Sequence, residues 1–259
     1  MGKDKLKKLR VAKIQNPKSG TRNLKRRLVE GLQVVTGEGI LSGSGHLSAR
    51  IPGTKTFLIN PRFAGVLADA EDICTVDFSG KRIAGKGPIP SETLIHSTIY
   101  QNRPDVGSVL HCHARSSILM GLQDIGLIPF SREARLFADG VPILHESRGI
   151  NSEALARRMT ETLGPHYAIF LRGHGCVVVG PGIEGTCISA ISLERACRDQ
   201  LLLMSFSTPT PLADAARGRV SARLENPYRA WPFLLYKHKV KSRAQIRASI
   251  KTLKEGEHY

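Results

Sequence analysis

Val109-Leu110-His111-Cys112-His113 decides how this chain is read. The run from Gly107 to His113 is apolar and follows a break at Pro104-Asp105, so the pattern predicts a strand. Alternate residues of a strand share a face. His111 and His113 therefore project together, and Cys112 projects to the other side. At a rise of ~3.3 Å per residue, two same-face residues sit about 6.6 Å apart along the strand. That is close enough for both rings to converge on one metal ion, with Zn–N bonds of about 2.0–2.1 Å. Two readings are open for the pair alone: metal ligands, or two polar residues lining a pocket. Further candidate ligands in restrained settings elsewhere in the chain favour the metal.

One of these is His174, which sits between Gly173 and Gly175 at the junction of two apolar strands, Ala168 to Arg172 and Cys176 to Val179. A glycine-flanked histidine in a tight turn can point into a pocket or cap the turn. Another is Glu92. The Gly/Pro-rich loop Gly85 to Pro90 leads into Ser91-Glu92-Thr93, and Ser91 is the expected N-cap of a helix that runs to Asn102 and stops before Pro104. Glu92 then lies in the first turn, where the helix dipole favours an ionised carboxylate. The loop Leu41-Ser42-Gly43-Ser44-Gly45-His46 precedes a strand over Leu47 to Ile51 and lets backbone N–H groups approach a ligand, or forms a plain turn.

The remaining pattern alternates helices and strands. Leu24, Leu28, Leu32 and Val35 recur at helical spacing from Thr21 to about Gly37. Thr56–Asn60 and Asp72–Phe78 read as strands, the second followed by the turn signature Ser79-Gly80-Lys81. Arg115–Leu122 reads as a short helix, and Asn151-Ser152-Glu153 opens a helix closed by Gly164-Pro165. Ile183 to Phe206 is a long helix with an apolar face. Three segments are expected: a basic arm over 1–23, a central domain over 24–212 and a basic extension over 213–259. The extension carries aromatic residues and a helix-like run from Arg243 to Lys254.

Of 259 residues, 41% are hydrophobic, enough for a buried core. No stretch approaches the ~20 apolar residues of a membrane span, and the basic start has no following apolar segment of a secretory signal. Five cysteines form no C-x-x-C pair, and Cys74, Cys112 and Cys176 fall in apolar strand-like runs, so a reducing, cytoplasmic setting is expected. The net charge of +16 is carried by the ends. Residues 1–27 hold 11 Lys and Arg against one acid, and residues 215–259 hold 11 against three, while 28–214 has a slight acidic excess. Basic ends suit nucleic acid or an anionic surface. No nucleic-acid motif accompanies them and aromatic residues are sparse in 1–27, so solvated tails or arms over a neighbouring subunit are favoured, with steering of a small anionic substrate as a third reading.

In this order and spacing, the Gly-rich loop, the strand, Pro90-Ser91-Glu92, His111-x-His113 and the distant Gly173-His174-Gly175 resemble the class II aldolase/adducin family over residues 24–207. The resemblance implies an α/β fold, a three-layer αβα sandwich around a central, mostly antiparallel sheet. It implies a homotetramer with sites at subunit contacts. It also implies one divalent metal ion per subunit (zinc first; iron, manganese or cobalt as alternatives) held by His111, His113 and His174. Glu92 matches the family's acid/base glutamate, which can also coordinate the metal. Adducin-like scaffold members lack the histidines, so their presence here argues for an enzyme.

Departures bear on the substrate. Sugar-phosphate members of the family carry Thr-Pro-Thr-Gly after the second strand and Ser-Ser-Glu before the helix, where hydroxyls and amides hold phosphate. Here these places are Asn60-Pro61-Arg62-Phe63-Ala64-Gly65 and Pro90-Ser91-Glu92, and Gly45-His46 stands where those aldolases have Gly-Asn. Arg62 suits a carboxylate as a forked partner, and Phe63 can flank an aromatic ring. With Arg172, these features resemble the branch that decarboxylates hydroxylated aromatic acids or carboxymuconate semialdehydes. The expected substrate site is Gly45, His46, Arg62 and Ser91, with Tyr228 or Tyr236 as candidates to complete a neighbouring site. A sugar-phosphate aldolase or 4-epimerase is the alternative, and a non-enzymatic scaffold or nucleic-acid-binding member is the third.

Overall fold

The computed structural model describes residues 17–62, 67–212 and 230–240. One eight-stranded sheet runs through it. Its strands are β1 (His46–Arg50), β2 (Thr56–Ile59), β3 (Cys74–Asp77), β4 (Arg82–Ala84), β5 (Ser108–Cys112), β6 (Ile143–Leu144), β7 (Ala168–Leu171) and β8 (Gly175–Gly180). Their order is β4-β3-β2-β1-β5-β8-β7-β6, antiparallel throughout except for the parallel pair β6–β7. The helices are α1 (Pro17–Gly37), α2 (Thr93–Asn102), α3 (Arg115–Gly121), α4 (Glu153–Leu163), α5 (Ile183–Leu203) and α6 (Trp231–Lys237).

The strand pleat sorts the side chains into two cores. Leu47 and Ala49 of β1, Leu110 and Cys112 of β5 and Cys176 and Val178 of β8 pack with α1, α3, α5 and α6. Val109, Val177 and Val179, with Phe57 and Ile59 of β2, pack on the other face with Ile95, Ile99 and Tyr100 of α2 and Leu155, Met159 and Leu163 of α4. Because helices cover both faces, β5, β7 and β8 are buried at every position, which is why they read as unbroken apolar runs. The result is the αβα sandwich. A one-residue slip of β5 would move both histidines to the wrong face; pairing with β1 (His46↔His111) and β8 (Cys112↔Cys176) holds its register.

Several boundaries differ from expectation. The first helix begins at Pro17 instead of Thr21, inside the stretch read as an arm, since proline is tolerated in a first turn. Ser91 is not the N-cap of α2. Glu92 holds that place, and the end is tied locally by the Thr93 hydroxyl donating to the Pro90 carbonyl at 2.5 Å. Ser152 does cap α4, accepting from Leu155 N–H at 3.4 Å, and Gly164 ends it with a φ of 50°. The long helix α5 closes at Leu203 instead of Phe206. In the extension, α6 was not anticipated. Trp231, Leu234 and Leu235 join the core on the α1 side, and Glu38 just after α1 pairs with Lys237 at 2.5 Å, His238 at 2.8 Å and Arg195 at 2.8 Å. Residues 1–16, 213–229 and 241–259, with the basic arm's start, Tyr228 and the Arg243–Lys254 run, lie outside the described residues, as does Phe63. All five cysteines are buried free thiols. Among the described residues no helix is long and apolar enough to cross a membrane.

Candidate metal and active site

Three pieces of chain meet on the α2 side of the sheet. His111 comes from the end of β5 and His113 from just beyond it, His174 from the turn between β7 and β8, and Glu92 from the start of α2. The ring centroids of His111 lie 4.8 Å from His113 and 5.0 Å from His174. Glu92 Oε2 is 3.4 Å from His111 Nε2 and 3.7 Å from His174 Nε2, and the Nε2 atoms of His113 and His174 are 3.2 Å apart. One ligand atom from each of the four residues lies within 4.8 Å of the others, a group that could hold a metal ion. Two ligands at about 2.05 Å from a tetrahedral zinc are themselves about 3.3 Å apart, close to the spacings seen here.

The local chain explains the convergence. The Leu171–His174 turn is closed by His174 N–H donating to the Leu171 carbonyl at 2.9 Å, with Gly173 at a φ of 68° that glycine adopts without strain. Gly175 must be glycine for a second reason: a Cβ there would lie 2.3 Å from the Cys112 carbonyl and 3.0 Å from the His113 ring. The Glu92 carboxylate does not cap its own helix, as the helix-end reading allowed. Its Oε1 accepts from Ile150 N–H at 2.7 Å, which turns Oε2 toward the histidines.

Hydrogen bonds and pKa shifts bear on whether the group suits a cation. His111 Nδ1 lies 3.0 Å from the Cys176 carbonyl, to which only a protonated Nδ1 can donate. Its Nε2 is then a bare lone pair, buried and without a hydrogen-bond partner, facing the cluster. His113 Nδ1 is 3.0 Å from Ser44 Oγ. Burial, followed by the neighbouring imidazoles His111 and His174, pushes His113 down to about 4, against the pull of Glu92. Burial and then His111 also lower His174. Burial would raise the Glu92 carboxyl, but positive charge on the facing His111, the Ile150 N–H and positive charge on His174 outweigh it and bring it down to about 2; a cation bound by the histidines would supply the same charge. Burial thus favours the neutral form of His113 and His174 beside an ionised carboxylate, the protonation states a divalent cation needs. The donor set therefore fits the metal.

The expected substrate residues surround this group. Ser44, Gly45, His46, Arg62, Pro90, Ser91, Glu92, His113 and His174 line one cleft of about 120 Å³. Gly45 lies against β5, where a Cβ would come 2.9 Å from the His111 carbonyl, so the loop's close approach requires glycine. Asn60 is fully buried and accepts from Leu47 N–H at 2.8 Å, locking the start of β1 to the end of β2. Arg172 is directed instead to Asp124 at 3.1 Å. Tyr236 stands exposed on α6.

Three polar residues behind the cleft were not singled out from the sequence. His96 is fully buried, with Nε2 2.6 Å from His46 Nδ1 and Nδ1 2.6 Å from Ser48 Oγ. Ser48 Oγ is in turn 2.7 Å from the Tyr100 hydroxyl. Two spacings carried the signal: His46 and Ser48 alternate along β1, and Glu92, His96 and Tyr100 recur every four residues through α2.

Residues 26–201 match the family described as the class II aldolase and adducin N-terminal domain, and the chain belongs to that family. Among its relatives, the 3,4-dihydroxyphthalate decarboxylase of Arthrobacter keyseri is 30% identical over 171 residues, 61% of this chain and 67% of that protein. Two solved structures share the fold. An aldolase II superfamily protein from Pseudomonas syringae has a TM-score of 0.74 at 23% identity, covering 85% of this chain and 93% of that one. The L-fuculose 1-phosphate aldolase from Glaciozyma antarctica PI12 has a TM-score of 0.72 at 23% identity, covering 86% and 94%.

Proposed function

We propose that this protein is a metal-dependent carbon–carbon lyase that decarboxylates a hydroxylated aromatic carboxylate of the dihydroxyphthalate type, or a carboxymuconate semialdehyde. The observation that carries the lyase reading is the convergence of His111, His113, His174 and Glu92, with the lone pair of His111 Nε2 left unspent. The likeness to a dihydroxyphthalate decarboxylase supports the carboxylate.

His111, His113 and His174 would hold a divalent ion, zinc in the first instance, which would supply Lewis-acid stabilisation of the oxyanion that develops as CO₂ leaves. The chain's own groups do the rest. Arg62 and His46 hold the departing carboxylate, Gly45 keeps the loop backbone close, and Ser91 offers a hydroxyl at the rim. Glu92 carries the proton: ionised and anchored by Ile150 N–H, it takes the proton of a substrate hydroxyl on its free oxygen and returns it to the carbon that loses CO₂, leaving the product as its phenolate or enolate. The chain works as a homotetramer with sites at subunit contacts. The exposed Leu119, Leu122 and Ile125, of which Leu122 lies against Gly173 of the His174 turn, are apolar side chains that such a contact would cover.

The test is metal analysis of the purified protein together with CO₂ release from a panel of dihydroxyaryl carboxylates, with light scattering for the assembly. Stoichiometric metal and CO₂ release are expected. Metal without CO₂ release, accompanied by cleavage of a phosphorylated ketose, would replace this reading with a sugar-phosphate aldolase.

A further inference from the structure

The line of polar side chains behind the cleft is buried and connected: His46, His96, Ser48 and Tyr100 are each no more than 2% exposed. Each link is short, at 2.6, 2.6 and 2.7 Å. Buried donors that go unpaired are costly, so the protons in such a line are not free to sit anywhere. Counting them gives one consistent arrangement. Tyr100 is held in the core, and the side-chain acceptor within reach of its hydroxyl is Ser48 Oγ. Ser48 has one proton of its own. If Ser48 gave that proton to Tyr100, the phenol's proton would lose this acceptor. The Val109 carbonyl, at 3.5 Å from Ser48 Oγ, is too far for a good O–H···O bond. Ser48 therefore donates to His96 Nδ1. A neutral His96 then carries its proton on Nε2 and donates it to His46 Nδ1. Both rings are buried, His46 at 2% and His96 at 0% exposure, which disfavours the imidazolium, so each carries one proton.

We propose that Tyr100, Ser48 and His96 are positioning residues that act as a one-way series of hydrogen-bond donors, fixing His46 as the tautomer with its proton on Nε2, so that His46 meets the cleft as a donor. The ring nitrogen left for the cleft is Nε2, and His46 is part of the cleft wall. A donor there recognises an anionic oxygen, a carboxylate in the reading above, and repels a group that must itself donate. The tautomer follows from the buried residues alone; only its use for a carboxylate rests on the lyase reading.

The test uses the full chain with ¹⁵N-labelled histidine and long-range ¹H–¹⁵N correlation, with the His46 and His96 signals identified by their loss in His46→Asn and His96→Asn. The expected result is a pyridine-like Nδ1 and a pyrrole-like Nε2 for both rings. A pyrrole-like Nδ1 on His46 overturns the proposal. Tyr100→Phe and Ser48→Ala keep the packing shape and break the series, so a second His46 tautomer should appear in each. An unchanged His46 in both variants overturns the assignment of control to this series. With 3,4-dihydroxyphthalate as probe, both variants should raise KM or Kd by roughly tenfold with little change in kcat. A wild-type protein with the expected tautomer that does not bind the probe refutes the lyase reading and leaves the tautomer assignment standing.

Discussion

Replacing Glu92 with glutamine separates the proton shuttle from the fold. The amide is nearly isosteric, and its oxygen can keep accepting from Ile150 N–H, the bond that now spans 2.7 Å. Its NH₂ would take the place of Oε2, 3.4 Å from His111 Nε2, and can donate to that nitrogen only while no metal occupies its lone pair. What the fold loses is the charge on one hydrogen bond, about 1 kcal/mol, or a fall in Tm of about 2–4 °C for a chain of this size. What the reaction loses is larger. Positioned general acid–base catalysis contributes about 10²–10⁴-fold, equivalent to about 2.7–5.4 kcal/mol of barrier. The expected outcome is a Glu92→Gln protein that folds, keeps the three histidines for metal, binds the carboxylate with nearly unchanged KM and turns over about 10²–10⁴ times more slowly. Stopped CO₂ release gives kcat, and a thermal melt with metal analysis checks the rest. If kcat stayed within threefold of wild type, Glu92 would not move the proton, and the reason for its anchoring by Ile150 would have to be sought elsewhere.

His111→Ala, His113→Ala and His174→Ala should each lose stoichiometric zinc. Zinc at a hundredfold excess over Kd should stabilise the wild type by about 2.7 kcal/mol, about 5–11 °C in Tm, and the variants hardly at all in the same melt. Gly175→Ala should destabilise by about 1–3 kcal/mol and weaken metal binding, because its Cβ would sit 2.3 Å from the Cys112 carbonyl and push on the His113 ring; a melt and a metal titration that both match wild type would refute the crowding. Glu38 supplies the pH dependence. Burial pushes its carboxyl up, but Lys237, His238 and Arg195 outweigh this and bring it down to about 2. A depressed carboxylate contributes stability fully above its unfolded value of about 4.5 and loses it as pH falls toward 2. After screening at the half-exposed Lys237 and Arg195 the contribution is about 1–2 kcal/mol. Glu38→Gln should therefore lower Tm at pH 6 and much less at pH 3.

The grouping of the candidate site was legible because each candidate ligand lies in a pattern with one geometric meaning. Alternation along a strand puts His111 and His113 on one face and Cys112 on the other, whatever the rest of the fold does. The glycines around His174 announce a turn that other residues would strain. The apolar runs of β5, β7 and β8 state that both faces of the sheet are covered. Element ends were less clear. Ser91 reads as a cap because serine caps helices in general, but here the Thr93 hydroxyl bonds to the Pro90 carbonyl and the boundary lies one residue further on, at Glu92.

Other features depend on contacts between residues far apart in the chain. Nothing local in Ile150 says that its N–H, 58 positions from Glu92, decides which carboxylate oxygen faces the histidines. Nothing in Cys176 marks its carbonyl as the partner that frees His111 Nε2. α6 is too short to declare itself by periodicity, and it is defined by where Trp231, Leu234 and Leu235 find a core. By itself the sequence determined which side chains share a face and where the backbone must turn, because these depend on a few successive residues. Only the tertiary structure decided which atoms of those side chains are spent on hydrogen bonds and which remain for chemistry, because that depends on partners brought in by the packing of distant segments.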